Sequence, residues 1–146
     1  MLQGGEEFFT VEYRITPGEK TVDGKQAFWT ADSIAVGDPA NQARRFLTEG
    51  NGFDFAATRT RALPIAGGWL AAPLSPENTF ALLWRADEVQ TAEVEMKEFS
   101  SLLNVKFKPF TKPEPQVYRL AYYFGSASSA GLGAQLAAVR ARLSGR

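Results

Sequence analysis

Alternation of apolar and polar residues predicts β-strands along much of the chain. The first strand covers residues 8–16, where β-branched and aromatic residues share one face. A second strand over 26–36 follows two turn signals, and we expect it to pair with the first as a hairpin. Further strands are expected in five later segments. These are 53–63, 69–74, 79–85, 105–110 and 116–124.

Two segments carry the marks of helices. Asp38 and Pro39 form a typical helix start, with an acid at the cap and proline in the first turn, which predicts a helix over 38–49. At the other end of the chain, apolar residues recur every three or four positions over 131–144. This spacing predicts an amphipathic C-terminal helix.

Residues 87–103 fit two patterns. Apolar residues spaced three or four apart from Val89 to Leu103 predict a helix, and this is the favoured interpretation because good helix formers dominate the segment. Strict alternation of apolar and charged residues in its middle instead predicts a strand. That strand would form a hairpin with the next one and set its two glutamates against Lys106 and Lys108.

The order of these elements predicts one α+β domain over residues 1–146. We expect a mostly antiparallel sheet with about three helices packed on one face. The length and the 45% hydrophobic content suffice for a single hydrophobic core. Residues 1–6 are expected to be a flexible N-terminus.

The chain contains no cysteine and no histidine, which limits the chemistry available to it. Thiolate nucleophiles, the usual catalytic triads and the usual zinc sites are excluded. We therefore expect a binding protein without a cofactor or metal rather than an enzyme. No apolar run is long enough to span a bilayer and no secretory signal is recognised, so a cytoplasmic protein without a membrane partner is expected.

The formal net charge of zero conceals an asymmetric distribution. Residues 1–98 contain nine Lys and Arg against fifteen Asp and Glu, a balance of −6. Residues 99–146 contain seven Lys and Arg against one acid, Glu114, a balance of +6. Aromatic residues are also concentrated in this basic third. Basic and aromatic residues together are typical of surfaces that bind single-stranded nucleic acid.

The leading functional hypothesis is therefore binding of single-stranded DNA or RNA on a basic, aromatic sheet face. Lysines and arginines would contact phosphates while aromatic rings stack on bases. The candidate residues are Phe53, Phe55, Arg59, Arg61, Lys106, Phe107, Lys108, Phe110, Lys112, Tyr118, Arg119 and Tyr122. The competing interpretation is that the aromatics belong to the core and the lysines solubilise a strand.

Two further classes of function stay open. The chain could be a self-assembling structural protein, in which the acidic part of one copy meets the basic part of another. The C-terminal helix would then be an oligomer contact through Leu132, Leu136, Val139 and Leu143, although packing on the chain's own sheet is the default. Alternatively, the chain could bind a small ligand or act as an enzyme through carboxylates or lysine, in a deep pocket.

Overall fold

A computed structural model places ten strands and one helix among the residues that it describes. The described residues are 7–16, 30–36, 44–49, 51–55, 59–75, 78–96, 101–108, 115–125 and 129–144. The strands are β1 Glu7–Ile15, β2 Thr30–Val36, β3 Arg44–Thr48, β4 Asn51–Phe55, β5 Arg59–Ala62, β6 Trp69–Ser75, β7 Asn78–Trp84, β8 Val89–Met96, β9 Ser101–Phe107 and β10 Gln116–Gly125. The helix is α1 Ser129–Ser144.

The strands form two antiparallel sheets. The six-stranded sheet has the order β1-β10-β7-β6-β3-β4, and the four-stranded sheet has the order β2-β9-β8-β5. The chain crosses between the two sheets several times, and one of these crossings is the turn 85–88, between β7 and β8. Strand β1 is at one edge of the six-stranded sheet, with β10 as its neighbour.

One hydrophobic core lies between the two sheets. The six-stranded sheet contributes alternate residues of β7 and β10, including Leu82, Trp84 and Leu120. The four-stranded sheet contributes alternate residues of β8 and β9, including Val94 and Phe107. All five side chains are fully buried. Because side chains alternate between the faces of a strand, the intervening residues of β7 and β10 face the other side.

A second core lies on that other side, under the helix. Leu132, Leu136, Val139 and Leu143 of α1 pack against a surface that includes Leu83. The six-stranded sheet is therefore the middle layer, between the four-stranded sheet and α1. Burial on both faces explains why β7 is almost continuously apolar, with all its residues after Asn78 buried.

The structure confirms several predicted elements and the fold class in its coarser form. Strands 8–16, 69–74, 79–85 and 116–124 correspond to β1, β6, β7 and β10, and the C-terminal helix corresponds to α1. Mostly antiparallel sheet with a C-terminal helix is an α+β arrangement. The prediction of about three helices is wrong, because the described part of the chain contains one. The predicted flexible segment 1–6 lies outside the described residues.

The predicted helix over 38–49 is wrong for residues 44–49, the part of the segment that the structure describes. Residues 38–43 lie outside the described part, and Arg44–Thr48 form strand β3. Phe46 is buried in the core between the sheets, whereas Leu47 packs toward the helix. A strand with apolar contacts on both faces lacks simple alternation, so the sequence pattern did not reveal it.

The favoured helix over 87–103 is also wrong, and the hairpin alternative is confirmed. Strands β8 and β9 pair in antiparallel fashion, with Ala92 and Val94 buried between the sheets. The register differs from the expected one, because Lys106 pairs with Thr91 rather than with a glutamate. Burial of the alternating apolar face against the other sheet outweighed the helix propensity of the segment.

Two predicted strand relationships also need correction. The strand expected over 26–36 exists as β2, but it pairs with β9 in the four-stranded sheet and not with β1. The single strand expected over 53–63 is divided into β4 and β5, which belong to different sheets. Local patterns identify strands better than they identify pairing partners, because pairing depends on the whole chain.

Candidate functional sites

Three of the aromatic residues predicted to stack on bases lie inside the molecule. Phe107, Tyr118 and Tyr122 belong to the core between the sheets and are 0%, 5% and 8% exposed. The rings of Phe107 and Tyr118 have centroids 4.7 Å apart, and the Tyr118 hydroxyl donates to the carbonyl oxygen of Lys108 at 2.9 Å. Their predicted role as a stacking surface is wrong, because their faces are covered by protein.

The cations of the predicted surface lie on opposite sides of the molecule. Arg119 precedes Leu120, which faces the core between the sheets, so Arg119 lies on the helix side of the six-stranded sheet. Lys106 precedes Phe107, which faces the same core, so Lys106 lies on the outer face of the four-stranded sheet. No single groove can contain both side chains.

The remaining predicted residues do not restore a common surface within the described part. Lys108 is exposed just after β9, and Arg61 is exposed on the edge strand β5. Strand positions are known for Phe53, Phe55 and Arg59, but their side chains lie outside the described set. Phe110 and Lys112 lie outside the described residues altogether. Nucleic-acid binding therefore stays a prediction, but the described residues do not form the common basic, aromatic surface from which it was inferred.

The predicted oligomer contact on the C-terminal helix is occupied within the chain. Leu132, Leu136, Val139 and Leu143 are at most 8% exposed and pack on the six-stranded sheet. The default interpretation, packing on the chain's own sheet, is confirmed for these four residues. They are not available to a second copy while the helix stays docked.

A network of charged residues surrounds the turn between the two sheets. Glu88 accepts a hydrogen bond from the backbone N–H of Arg119 at 2.7 Å, and its carboxylate is 3.3 Å from Arg85 and 3.4 Å from the Arg119 guanidinium. Arg119 also reaches Glu12 of β1 at 3.3 Å. Asp87 binds Arg85 through two hydrogen bonds, at 2.7 and 3.0 Å. The network joins two strands, β1 and β10, to the turn 85–88.

The two acids of this turn have shifted pKa values of opposite sign. Burial raises the pKa of Glu88, and its hydrogen bond from Arg119 and the nearby guanidinium charges offset part of that effect. The hydrogen bonds from Arg85 lower the pKa of Asp87. Glu88 contacts only structural partners among the described residues, so we assign it a structural role and not a catalytic one.

An aromatic cluster is partly exposed at one end of the six-stranded sheet. Phe9 of β1 is 50% exposed and stacks on Tyr122, with ring centroids 4.9 Å apart. Phe124 is 39% exposed and its ring lies 5.2 Å from that of Phe80. The alternation of β1 was visible in the sequence, but its position at the sheet edge was not. This apolar edge is the first candidate interaction surface.

A cleft of about 480 Å³ lies between α1 and the six-stranded sheet. Trp69 at the start of β6 lines it together with Glu49, Arg140 and small residues of the helix. The Arg140 guanidinium donates to the carbonyl oxygens of Ala66 and Gly67, both at 2.9 Å. No local pattern in the sequence connects these residues, because they come from three distant segments. This cleft is the second candidate site.

Two other kinds of feature, a metal-ligand cluster and a membrane-spanning helix, are absent from the described residues. Those residues contain no group of three or more acids that could hold a metal ion. The helix α1 lacks the length and apolar character needed to cross a membrane, and it is the one helix of the described part.

Comparisons of the chain with protein-family models, with curated proteins and with solved structures found no match.

Proposed function

We propose that this chain is a structural protein that self-associates, with edge strand β1 pairing with β1 of a second copy. The observation that carries this proposal is the exposure of Phe9, half of whose side chain faces solvent on an edge strand. Edge strands offer unpaired backbone groups, and proteins usually protect them with charges rather than with aromatic residues.

The sequence of β1 suits antiparallel pairing with itself. A two-fold axis at Val11 would place Phe9 opposite the partner's Tyr13, and by symmetry this aromatic pair would form twice. On the other face, Thr10 would stand opposite the partner's Glu12, so no like charges are opposed. Aromatic cross-strand pairs of this kind stabilise sheets.

The overall charge is also compatible with association. Lys and Arg number sixteen, as do Asp and Glu, so two copies carry no net charge that would repel them. A chain with a net charge near zero associates more readily than a strongly charged one. Six strands would then continue into six strands of the partner as one extended sheet.

Cysteine cross-linking tests this arrangement sharply, because the chain has no native cysteine. In the expected register Val11 faces the partner's Val11, and antiparallel neighbours have Cα atoms about 4.5–5.5 Å apart, within disulfide range. We expect Val11→Cys to form a disulfide-linked dimer under mild oxidation. The control is Thr91→Cys, which is exposed on the interior strand β8.

Sedimentation velocity provides the matching measurement on the unmodified chain. We expect a concentration-dependent dimer that Phe9→Lys converts to monomer, whereas Thr91→Lys leaves it intact. A strict monomer at high protein concentration would contradict the proposal. Cross-linking of Val11→Cys no faster than that of Thr91→Cys would contradict it as well.

A further inference from the structure

We propose that the cleft between α1 and the six-stranded sheet binds a small zwitterion, a free amino acid in the simplest case. The carboxylate would accept hydrogen bonds from Trp69 and Arg140, and the ammonium group would bind Glu49. This inference does not depend on self-association, because the cleft lies on the helix side of the sheet and away from the edge of β1.

Trp69 provides the strongest indication of a ligand site. Its side chain is 7% exposed, yet its indole N–H has no hydrogen-bond partner among the described residues. No side-chain N or O atom of those residues is both sealed from solvent and unpartnered, so this N–H still reaches solvent. Trp69 is one of the residues that line the cleft, so a ligand bound there would be adjacent to it. Buried indole N–H groups normally have an acceptor, and a ligand would supply one.

Arg140 is held in place before any ligand arrives. Two of its five N–H groups donate to the backbone of Ala66 and Gly67, which leaves the others for a further acceptor. Gly68 adopts a φ of 74°, and a side chain there would collide with the guanidinium, which lies 2.5 Å from the Cβ position. A cation fixed in this way binds a carboxylate with little loss of conformational entropy.

Glu49 supplies the opposite charge at the same cleft. It is exposed at the end of β3 and forms no ion pair with the described residues, Arg140 included. One carboxylate oxygen lies 3.3 Å from the position that a Cβ of Gly67 would take, while Arg140 binds the carbonyl oxygen of that same glycine. Neither charge has an ion-pair partner among the described residues, and the two flank one glycine, so a molecule that carries both opposite charges can bind both.

The helix wall of the cleft, which also carries Arg140, leaves room for such a molecule. Gly133, Ala137 and Ala141 of α1 present almost no side chain, and a Cβ added at Gly133 would meet no atom within 4 Å. The volume of about 480 Å³ falls within the usual range for small-molecule sites. The small helix residues thus provide space for an apolar side chain of the ligand.

Calorimetric titration with each of the twenty free L-amino acids at millimolar concentration tests the proposal. We expect at least one to bind, and Ala137→Phe to abolish that binding by filling the cleft. The matched control is Ala138→Phe, at the next helix position, which is also exposed but does not line the cleft. It is expected to bind like the original chain. Thermal unfolding confirms that both variants are folded.

Two conservative variants identify the groups involved. Trp69→Phe removes the N–H and keeps the ring, and we expect about tenfold weaker binding. Glu49→Gln is expected to weaken binding of the amino acid but not of its analogue that lacks the ammonium group. The absence of binding by all twenty amino acids would overturn the proposal. Binding that survives Ala137→Phe unchanged would overturn it too.

Discussion

The carboxylate of Glu88 takes the place of a strand partner for the backbone N–H of Arg119. Strand β7 ends at Trp84, which pairs with Leu120, so the first four residues of β10, Gln116 to Arg119, extend beyond its neighbour. At that position Glu88 accepts the hydrogen bond from Arg119 at 2.7 Å. A side chain from the turn therefore completes the hydrogen bonding of the sheet where the chain leaves for the other layer.

Removal of this carboxylate is expected to destabilise the fold. Glu88→Ala leaves the Arg119 N–H without its acceptor in a half-buried place, and we expect a loss of about 1–3 kcal/mol in the free energy of unfolding. Urea denaturation followed by tryptophan fluorescence measures it. Glu12→Ala, which removes an exposed partner of the same arginine, should cost less than about 1 kcal/mol. Equal losses for the two variants would contradict the role assigned to Glu88.

The two acids of the turn are expected to respond to pH in opposite directions. Because burial raises the pKa of Glu88, its contribution to stability is full below its ordinary pKa of about 4.3 and is lost as pH rises through the raised value. Because Arg85 lowers the pKa of Asp87, its contribution is present at neutral pH and is lost as pH falls through the lowered value.

Matched amide variants measure this difference. Relative to the original chain, we expect Glu88→Gln to become more stable as pH rises from about 4 to about 7. Asp87→Asn should become relatively less stable as pH rises from about 3 to about 5, by a small amount because Asp87 is exposed. Urea unfolding at several pH values gives both curves. Slopes of the same sign would disprove the assignment of opposite shifts.

Phe107 and Phe9 are expected to differ in their effect on stability. Phe107 is fully buried between the sheets, so Phe107→Ala should lower the free energy of unfolding by about 3–5 kcal/mol. Phe9 is half exposed, so Phe9→Ala should cost about 1 kcal/mol in dilute solution, where dimers are rare. Chemical denaturation at low protein concentration compares them. A loss of stability for Phe107→Ala as small as that for Phe9→Ala would indicate that the Phe107 ring is exposed, as the nucleic-acid hypothesis requires.

Gly68→Ala is expected to be destabilising for two separable reasons. The left-handed backbone conformation is strained for alanine, and its Cβ would meet the Arg140 guanidinium. Together these two effects should lower the free energy of unfolding by about 1–3 kcal/mol. In an Arg140→Ala background the collision disappears while the backbone strain persists. A double-mutant cycle should therefore show that Gly68→Ala destabilises the Arg140→Ala variant less than it destabilises the original chain.

Gly133→Ala is the control substitution for Gly68→Ala. It lies in the helix with no atom near the added Cβ, so we expect it to stabilise the fold by about 0.5–1 kcal/mol. Thermal or chemical unfolding of both glycine variants gives the comparison. Destabilisation by Gly133→Ala, or an unchanged cost of Gly68→Ala without Arg140, would contradict these assignments.

Pairing partners could not be predicted from the sequence, and this affected the fold and the functional hypothesis together. Phe107 and Tyr118 stand in strongly alternating strands, which the pattern identified correctly. Whether such a strand turns its aromatic face to solvent or to a second sheet depends on residues far along the chain, such as Leu82 and Trp84. The predicted basic surface failed for the same reason, since β9 and β10 belong to different sheets.

The sequence by itself determined the elements with strong periodicity and the chemistry that the chain lacks. Alternation was sufficient for β1 and β10, helical spacing was sufficient for α1, and the absence of histidine and cysteine excluded whole classes of active site. Only the tertiary structure decided that the 87–103 segment is a hairpin, that β1 is an edge, and that Glu49, Trp69 and Arg140 share a cleft. Local periodicity reports the shape of one segment, whereas these three features depend on contacts between segments that are distant in the chain.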